Sequence, residues 1–459
     1  MTREERGLFW STSIGTLLCG MNTSGVATIL PAIQRQLGVP YNTAQWLVTG
    51  YTLVLSGLLL PIGRLGDLWG HRRLYFSGLG IFTGCALLVG TLRVEWAMLG
   101  ARMLQAVGAA AILASVPALL TATFAPSQRG RVLGLYAMNV YIGLSLGPFV
   151  GGWLAAVQGW PGLFWLSAPL FGVALILQRL GPPATPEPKV GAGRRFDWLG
   201  SLLLLAAFTS LLVGVNQGLA DGWSFAWIAL IVGAGGLGTL LVWVEQRVPN
   251  PLVVPRMLRD PGLGWNVAAT FLNYVCTFFF FVLVPLNLVI LHGWTEAQAG
   301  MVITVTPAVM VGVSSQSGRL SDRIGTRWPT VIGQGVLAAG LLAMSLLPAR
   351  AIGEWVAALV AVGTGLGLFT APNNSAIMGR VPRGMQGMAS GMVGTARYAG
   401  QALGGAVATA LFAAFHRAEP AALAFRHAMW LGVAVAMAGA WASWMGGAAG
   451  TDLAAEAVS

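Results

Sequence analysis

The sequence predicts an all-α polytopic membrane protein: two six-helix bundles with two further helices inserted between them, fourteen transmembrane helices in all. Three observations carry that prediction: the composition, the spacing of the charges and an internal repeat. Of 459 residues only 9% are charged and 56% are hydrophobic, and the mean hydropathy is +0.72. A water-soluble fold carries roughly 25% charge, so this chain cannot cover a water-facing surface. Disorder requires low hydrophobicity, and 63 glycines without a three-residue period exclude a collagen helix. Cys19, Cys85 and Cys276 fall in separate apolar runs, with no disulfide framework or metal-ligand spacing.

A helix needs ~20 apolar residues to cross the hydrocarbon. Uncharged runs of that length occur at 7–34, 36–63, 74–92 and 103–128, and then at 132–178, which Gln158-Gly159-Trp160-Pro161-Gly162 divides with a turn signal. These six spans make a first bundle over residues 1–180. Its first run starts within eight residues of Met1 and is too long for a leader-peptide core, so it reads as a retained helix. The proline-rich stretch 181–197 reads as a cytoplasmic linker. Runs at 198–220 and 222–244 form the inserted pair, within 198–246, and a basic cytoplasmic loop follows at 247–262. Runs at 261–295, 297–318, 328–349, 355–379, 384–416 (broken only by Arg397) and 428–451 make the second bundle, 263–459. An even number of spans puts both termini on one side. Loops on that side hold nineteen Lys and Arg residues against five opposite, which places the termini in the cytoplasm and the protein in the plasma (inner) membrane. The net charge of +11 is loop charge, scattered singly or in twos and threes, and not a nucleic-acid surface.

The segment Gly63-Arg64-Leu65-Gly66-Asp67-Leu68-Trp69-Gly70-His71-Arg72 returns 255 residues later as Gly318-Arg319-Leu320-Ser321-Asp322-Arg323-Ile324-Gly325-Thr326-Arg327. Ala106-Val107-Gly108 and Pro117 match Ala361-Val362-Gly363 and Pro372 at that offset, and an offset of 257 aligns Gly143 and Gly147 with Gly400 and Gly404. Three matches in one order make the halves parallel repeats. Such halves enclose a site near the bilayer midplane and expose it alternately by rocking. Gly143, Gly147 and Gly151 recur every fourth residue beside Pro148, and Gly400, Gly404 and Ala408 do the same. Each stripe is a smooth face for close helix approach, read either as static packing or as a sliding seam between the halves.

Here the residues carry a family resemblance. Gly63 to Arg73 resembles the cytoplasmic loop signature of the major facilitator superfamily. Arg102-Met103-Leu104-Gln105-Ala106-Val107-Gly108 resembles its fourth-helix arginine motif, and Leu146-Gly147-Pro148-Phe149-Val150-Gly151-Gly152 its fifth-helix exporter motif. With Trp46-Leu47-Val48-Thr49-Gly50-Tyr51 and fourteen spans, nearly the whole chain is similar to the fourteen-helix drug–proton antiporter branch. The resemblance implies a major facilitator fold and a secondary transporter that exports amphipathic or hydrophobic organic molecules. It also implies a cytoplasmic gate. Gly63, Gly70 and Gly318 would supply tight turns, and Arg64, Arg72, Arg73 and Arg319 the interface charge. Asp67 would sit against the positive N-terminus of a helix beginning near Gly387, with Asp322 as its counterpart.

Two cations fall inside spans. Arg102 lies early in its span, within reach of the outer interface, whereas Arg397 is about ten residues deep. A charge near the centre costs ~2.5–3.5 kcal/mol, so it turns to the protein interior or a water-filled cavity. All fifteen acids lie at termini, in loops or at span ends, and Asn22 stands where similar antiporters carry an acid. The cavity is therefore expected to be neutral to positive, drawing on Asn22, Arg102, Gln105, Asn139, Asn273, Asn287, Asn373, Asn374, Arg397 and Gln401. Any proton coupling then runs through a peripheral acid such as Asp67, or through an indirect shift of the arginines. The alternative reading is a carrier of anionic lipids or organic anions, uncoupled from a central acid. An enzyme would need a nucleophile–base set or metal ligands, and His71, His292, His416 and His427 are scattered. No enzyme activity, cofactor, metal or nucleic acid is expected. The expected partners are a small amphipathic substrate, the bilayer and protons at a peripheral acid, for a protein that acts as a monomer. The run Phe278 to Phe281 covers all sides of its helix, so part of it should meet lipid.

Overall fold

The computed structural model describes residues 3–38, 41–125, 128–180, 196–248, 251–252, 257, 260–290, 293, 302–347, 352–382 and 385–456. The linker expected at 181–197 lies outside them except for Phe196 and Asp197, as do His292 and half of the loop expected at 247–262. Among the described residues fourteen long helices follow one another. They are α1 (Arg3–Leu37), α2 (Tyr41–Trp69), α3 (His71–Thr91), α4 (Glu95–Thr123), α5 (Arg129–Val157), α6 (Gly162–Leu180) and α7 (Trp198–Asp221). Then come α8 (Phe225–Glu245), α9 (Pro261–Ile290), α10 (Val305–Ile324), α11 (Arg327–Leu346), α12 (Ile352–Arg380), α13 (Gln386–His416) and α14 (Ala421–Glu456).

Twelve of these helices are long and apolar enough to cross a membrane. The other two are α6, whose apolar stretch is Gly162–Gln178, and α10, which carries Arg319, Asp322 and Arg323 in its last turns. The fourteen helices are compatible with fourteen crossings. Several outrun the hydrocarbon: α2, α4 and α5 have 29 residues each, roughly 43 Å at 1.5 Å per residue, against a core ~30 Å thick. Their ends therefore reach the headgroups, which is why charges such as Arg129 and Glu95 can sit inside helical termini.

The chain forms two compact units. The first takes Met1–Leu205, Val248–Leu252 and Val381–Thr395, and the second Ala206–Arg247, Val253–Arg380 and Ala396–Ser459. In the first, α1 packs on α5 and α6, α2 on α4, and α3 on α4 and α6. In the second, α9 packs on α14, α10 on α12, and α11 on α12 and α14.

Helices come close where side chains are small, because lipid gives helix association no hydrophobic drive and packing must supply it. In the first unit α4 is lined by Ala106, Ala109, Ala110 and Ala114, all fully buried. A Cβ on Gly78 of α3 would lie 2.8 Å from the Cβ of Ala111 and 2.9 Å from the carbonyl oxygen of Gly108. The second unit repeats this crossing, with a Cβ on Gly333 of α11 falling 2.8 Å from the carbonyl oxygen of Gly365 on α12.

One expectation needs correction. The stripe Gly143, Gly147 and Gly151 is not a seam between halves: a Cβ on Gly143 would strike the carbonyl oxygen of Leu17, and one on Gly147 would lie 2.5 Å from that of Met21, both on α1 of the same unit. Gly400 likewise faces the Phe271 carbonyl of α9, 2.5 Å from a built Cβ, inside the second unit. In the run Phe278 to Phe281, Phe279 and Phe280 are fully buried, with Phe279 against Gly432 of α14, whereas Phe278 and Phe281 are half-buried and keep part of their surface open.

The α1–α5 contact gives a stability test. Gly143→Val has no room beside Leu17 and should cost about 1–3 kcal/mol or more as overpacking, lowering the melting temperature in detergent. Gly152→Ala, whose Cβ would find only the Thr28 Cγ2 at 3.8 Å, should melt like the unmodified protein.

Candidate functional site

The first unit brings the sequence-predicted residues together at two places. One is the turn between α2 and α3. Gly70 adopts φ 99° there as the residue preceding α3, a conformation that a side chain would strain. Its repeat counterpart Gly325 ends α10 at φ 83°. The turn brings Asp67 to the start of α13. Its Oδ1 accepts from the Gly387 backbone N–H at 2.8 Å, and its Oδ2 from that of Met388 at 2.9 Å. These are among the first amides of a helix, which have no intrahelical acceptor, and the helix dipole adds attraction for an acid. Asp67 thus caps a helix 320 residues away.

Further groups close the site. His71 Nε2 lies 3.0 Å from Asp67 Oδ1, and Arg64 Nη1 lies 4.0 Å from Oδ2. Asp67, Arg64 and His71 are all buried. The backbones can meet because Gly63 and Gly387 lack side chains: a Cβ on either would run into the other's carbonyl oxygen. Gly391, one turn on, sits against Leu59 in the same way. Arg72 donates to the Gln178 carbonyl oxygen at 3.2 Å, tying α3 to α6, and Arg73 is exposed. The second copy of the motif is built differently, with Gly318 buried but Arg319 and Asp322 exposed.

The other cluster surrounds Arg102, eight residues into α4 and only 1% exposed. Its Nε donates to the Leu47 carbonyl oxygen at 3.2 Å, Nη1 to Gln105 Oε1 at 2.6 Å and Nη2 to the Asn22 carbonyl oxygen at 3.1 Å. The guanidinium stands 3.9 Å from the centre of the Tyr51 ring and 5.9 Å from that of Phe164. No carboxylate is among these partners. Carbonyl dipoles, an amide oxygen and ring faces compensate the charge, the combination a buried cation needs when no acid pairs with it. The Asn22 amide donates to the Leu18 carbonyl oxygen at 3.0 Å, and its Oδ1 accepts from Ser167 at 3.4 Å. Asn22, Arg102 and Gln105 therefore form one network.

The remaining candidates lie elsewhere. In the second unit Asn373 donates to Thr270 Oγ1 at 2.7 Å and to the Asn266 carbonyl oxygen at 3.2 Å. Asn273 donates to Gln334 Oε1 at 3.3 Å. Both amides are fully buried and join α9 to α12 and α11. Arg397 is buried beside the Tyr398 and Tyr274 rings, at 5.1 and 5.9 Å. Asn139, Asn287, Asn374 and Gln401 are buried as well. Sequence reasoning missed His71, Tyr51 and Gln334 as partners. It also missed the pair of Arg380 and Asp260, 3.0 Å apart, in which Asp260 caps α9 through the Gly262 N–H at 2.9 Å. Asp260 directly before Pro261 was the available signal, an acid preceding a helix-opening proline. Among the described residues no group of three or more His, Cys, Asp or Glu is placed to hold a metal.

A family model described as Major Facilitator Superfamily matches residues 12–405 and 266–452. The chain is 31% identical over 427 residues to the cephamycin export protein CmcT of Amycolatopsis lactamdurans, covering 91% of this chain and 87% of that one. It is 29% identical over 422 residues to the multidrug resistance protein Stp of Mycobacterium tuberculosis, covering 90% and 77%. Among solved structures, the human organic anion transporter MFSD10 (TETRAN) matches with a TM-score of 0.67 over 94% of this chain and 99% of its own. At 14% identity that likeness is one of fold alone.

Replacing the capping acid should show in stability. Asp67→Ala removes both acceptors and should cost about 2 kcal/mol, the upper end for a helix cap. Asp67→Asn keeps one oxygen acceptor and should lose about half as much. Denaturant unfolding in detergent micelles measures both, and equal stability of all three proteins would show the cap to be energetically idle.

Proposed function

The chain belongs to the Major Facilitator Superfamily of membrane transporters, and from that premise we propose that it exports amphipathic or hydrophobic organic molecules by alternating access. It is a multi-pass membrane protein. The observation that carries the reading is its similarity, over 91% and 90% of its length, to proteins named for cephamycin export and multidrug resistance. The excess of basic residues in alternate loops supports cytoplasmic termini.

In this reading the Asp67 cap is the cytoplasmic latch. While the carboxylate holds the amides of Gly387 and Met388, that side stays closed, and opening it breaks both hydrogen bonds and the attraction to the helix end together. Glycines at the contact suit such a role, because Gly63, Gly387 and Gly391 meet through backbone and have no side chains to disentangle.

Coupling to protons does not pass through an acid at mid-span. The place beside Arg102 is taken by Asn22, whose amide is engaged with Leu18 and Ser167 and cannot titrate. A guanidinium held by neutral partners favours a neutral or positive interior, which disfavours lipophilic cations as cargo. The same observation supports a second reading, movement of organic anions or anionic lipids.

Reconstitution into liposomes with an imposed pH gradient, scored with cationic, neutral and anionic amphiphiles, separates the two. Export of neutral amphiphiles by the unmodified protein is the expected outcome. Asn22→Asp, placing an acid within reach of Arg102, should introduce a dependence on the pH gradient. Selective anion movement indifferent to pH would establish the second reading instead, and saturable cation–proton exchange that survives Asp67→Asn would overturn both.

A further inference from the structure

Two surface grooves, one in each unit, share a design that the transport cycle does not use. The first, of about 510 Å³, is lined by Arg6, Gly7, Trp10 and Ile14 of α1 and by Leu177 of α6. Residues 7, 10 and 14 fall on one helical face. Gly7 leaves the groove open, since a Cβ there would find only the Leu177 carbonyl oxygen at 3.9 Å. Trp10 forms a wall and is 58% exposed. The second groove, also about 510 Å³, runs along α8 and is lined by Gly235, Gly238, Thr239, Val242, Trp243 and Gln246. A Cβ on Gly235 or Gly238 would meet nothing within 4 Å, and Trp243 is 53% exposed. An arginine stands one helical turn from each tryptophan: Arg6 lines the first groove, and Arg247 lies beside the end of the second. There its position is fixed: the Arg247 guanidinium lies 3.6 Å from the centre of the Trp243 ring and donates to the Trp243 carbonyl oxygen at 3.2 Å.

We propose that each groove binds an anionic glycerophospholipid, with its phosphate at Arg6 or Arg247, its ester region at Trp10 or Trp243, and an acyl chain in the apolar channel. Exposed tryptophans belong at the headgroup level, and arginines there attract anionic lipid. Arg6 and Arg247 both belong to the loop set that carries the arginine excess. Glycine is a poor choice for a helix face that meets bulk lipid, because it weakens the helix and packs against nothing; a groove that seats a chain gives those glycines a use. The small residues of α8 could also seat a second copy of this helix. A membrane dimer with its two-fold axis along the bilayer normal keeps the copies parallel, however, and would set Arg247 beside Arg247. Like charges disfavour that pairing, whereas the same charge favours a phosphate.

Native mass spectrometry of the full-length protein in detergent, titrated with phosphatidylglycerol or with phosphatidylcholine of the same acyl chains, tests the proposal. Two phosphatidylglycerol molecules should be retained at concentrations where phosphatidylcholine is lost. Arg6→Gln and Arg247→Gln should each weaken one of the two binding steps about fivefold. Gly238→Leu, which fills the α8 groove from a half-buried position where a Cβ meets nothing within 4 Å, should abolish one step and leave the other intact. Equal retention of the two lipids, or phosphatidylglycerol binding unchanged in all three variants, overturns the proposal. A dimer that Gly238→Leu dissociates also overturns it for α8, assigning that face to a second copy.

Discussion

Inside a bilayer no solvent is available to satisfy a stray polar group, so each one must find its partner within the protein. That constraint organises both units. Hydroxyl groups along the spans mostly turn back to carbonyls of their own helix, as Thr16 does to Thr12 and Thr277 to Asn273. The groups that cannot be satisfied locally define the interior. Arg102 gathers the carbonyls of two other helices, an amide and two rings. Asn273, Gln334 and Asn373 cross-link three helices of the second unit. Asp67 and the open amides of α13 meet because each is a poor occupant of that place without the other.

A second constraint follows from the first. Once hydrogen bonds are made within helices, association depends on how closely backbones approach, and the glycines decide where. They lie at the α1–α5 contact, at the α3–α4 crossing and its counterpart in α11 and α12, and where α2 meets the first turns of α13. The polar sites lie beside these contacts. Gly63 and Gly391 flank the stretch of α2 that leads to Asp67, and Gly20 and Gly25 bracket Asn22 on the face that α1 presents to α5.

Much of this was legible in the sequence, for physical reasons that also explain what was not. Helix number could be read because hydrocarbon thickness imposes a minimum uncharged run, and charges mark the loops. The depth of Arg102 could not: the uncharged run begins at 103, but the helix begins at Glu95, so the charges hid two turns of it. The Asp67 turn was visible as a repeated motif, whereas its contact with Gly387 came only through resemblance, since nothing local connects residues so far apart. The stripe Gly143, Gly147, Gly151 announced a close approach without naming the partner, which is α1. An amide such as Asn273 is equally at home lining water or bonding a neighbour, and its partner Gln334 is 61 residues on.

Duplication supplied two versions of the same turn, and they have not kept the same occupation. Asp67 is buried on a helix end, while Asp322 is exposed. If a helix cap is worth about 1–2 kcal/mol, that single difference corresponds to a bias of roughly five- to thirty-fold in population. Because the repeats are parallel, both turns lie on the same side of the membrane. One buried carboxylate without an equally buried twin makes the two halves contribute unequally to that face.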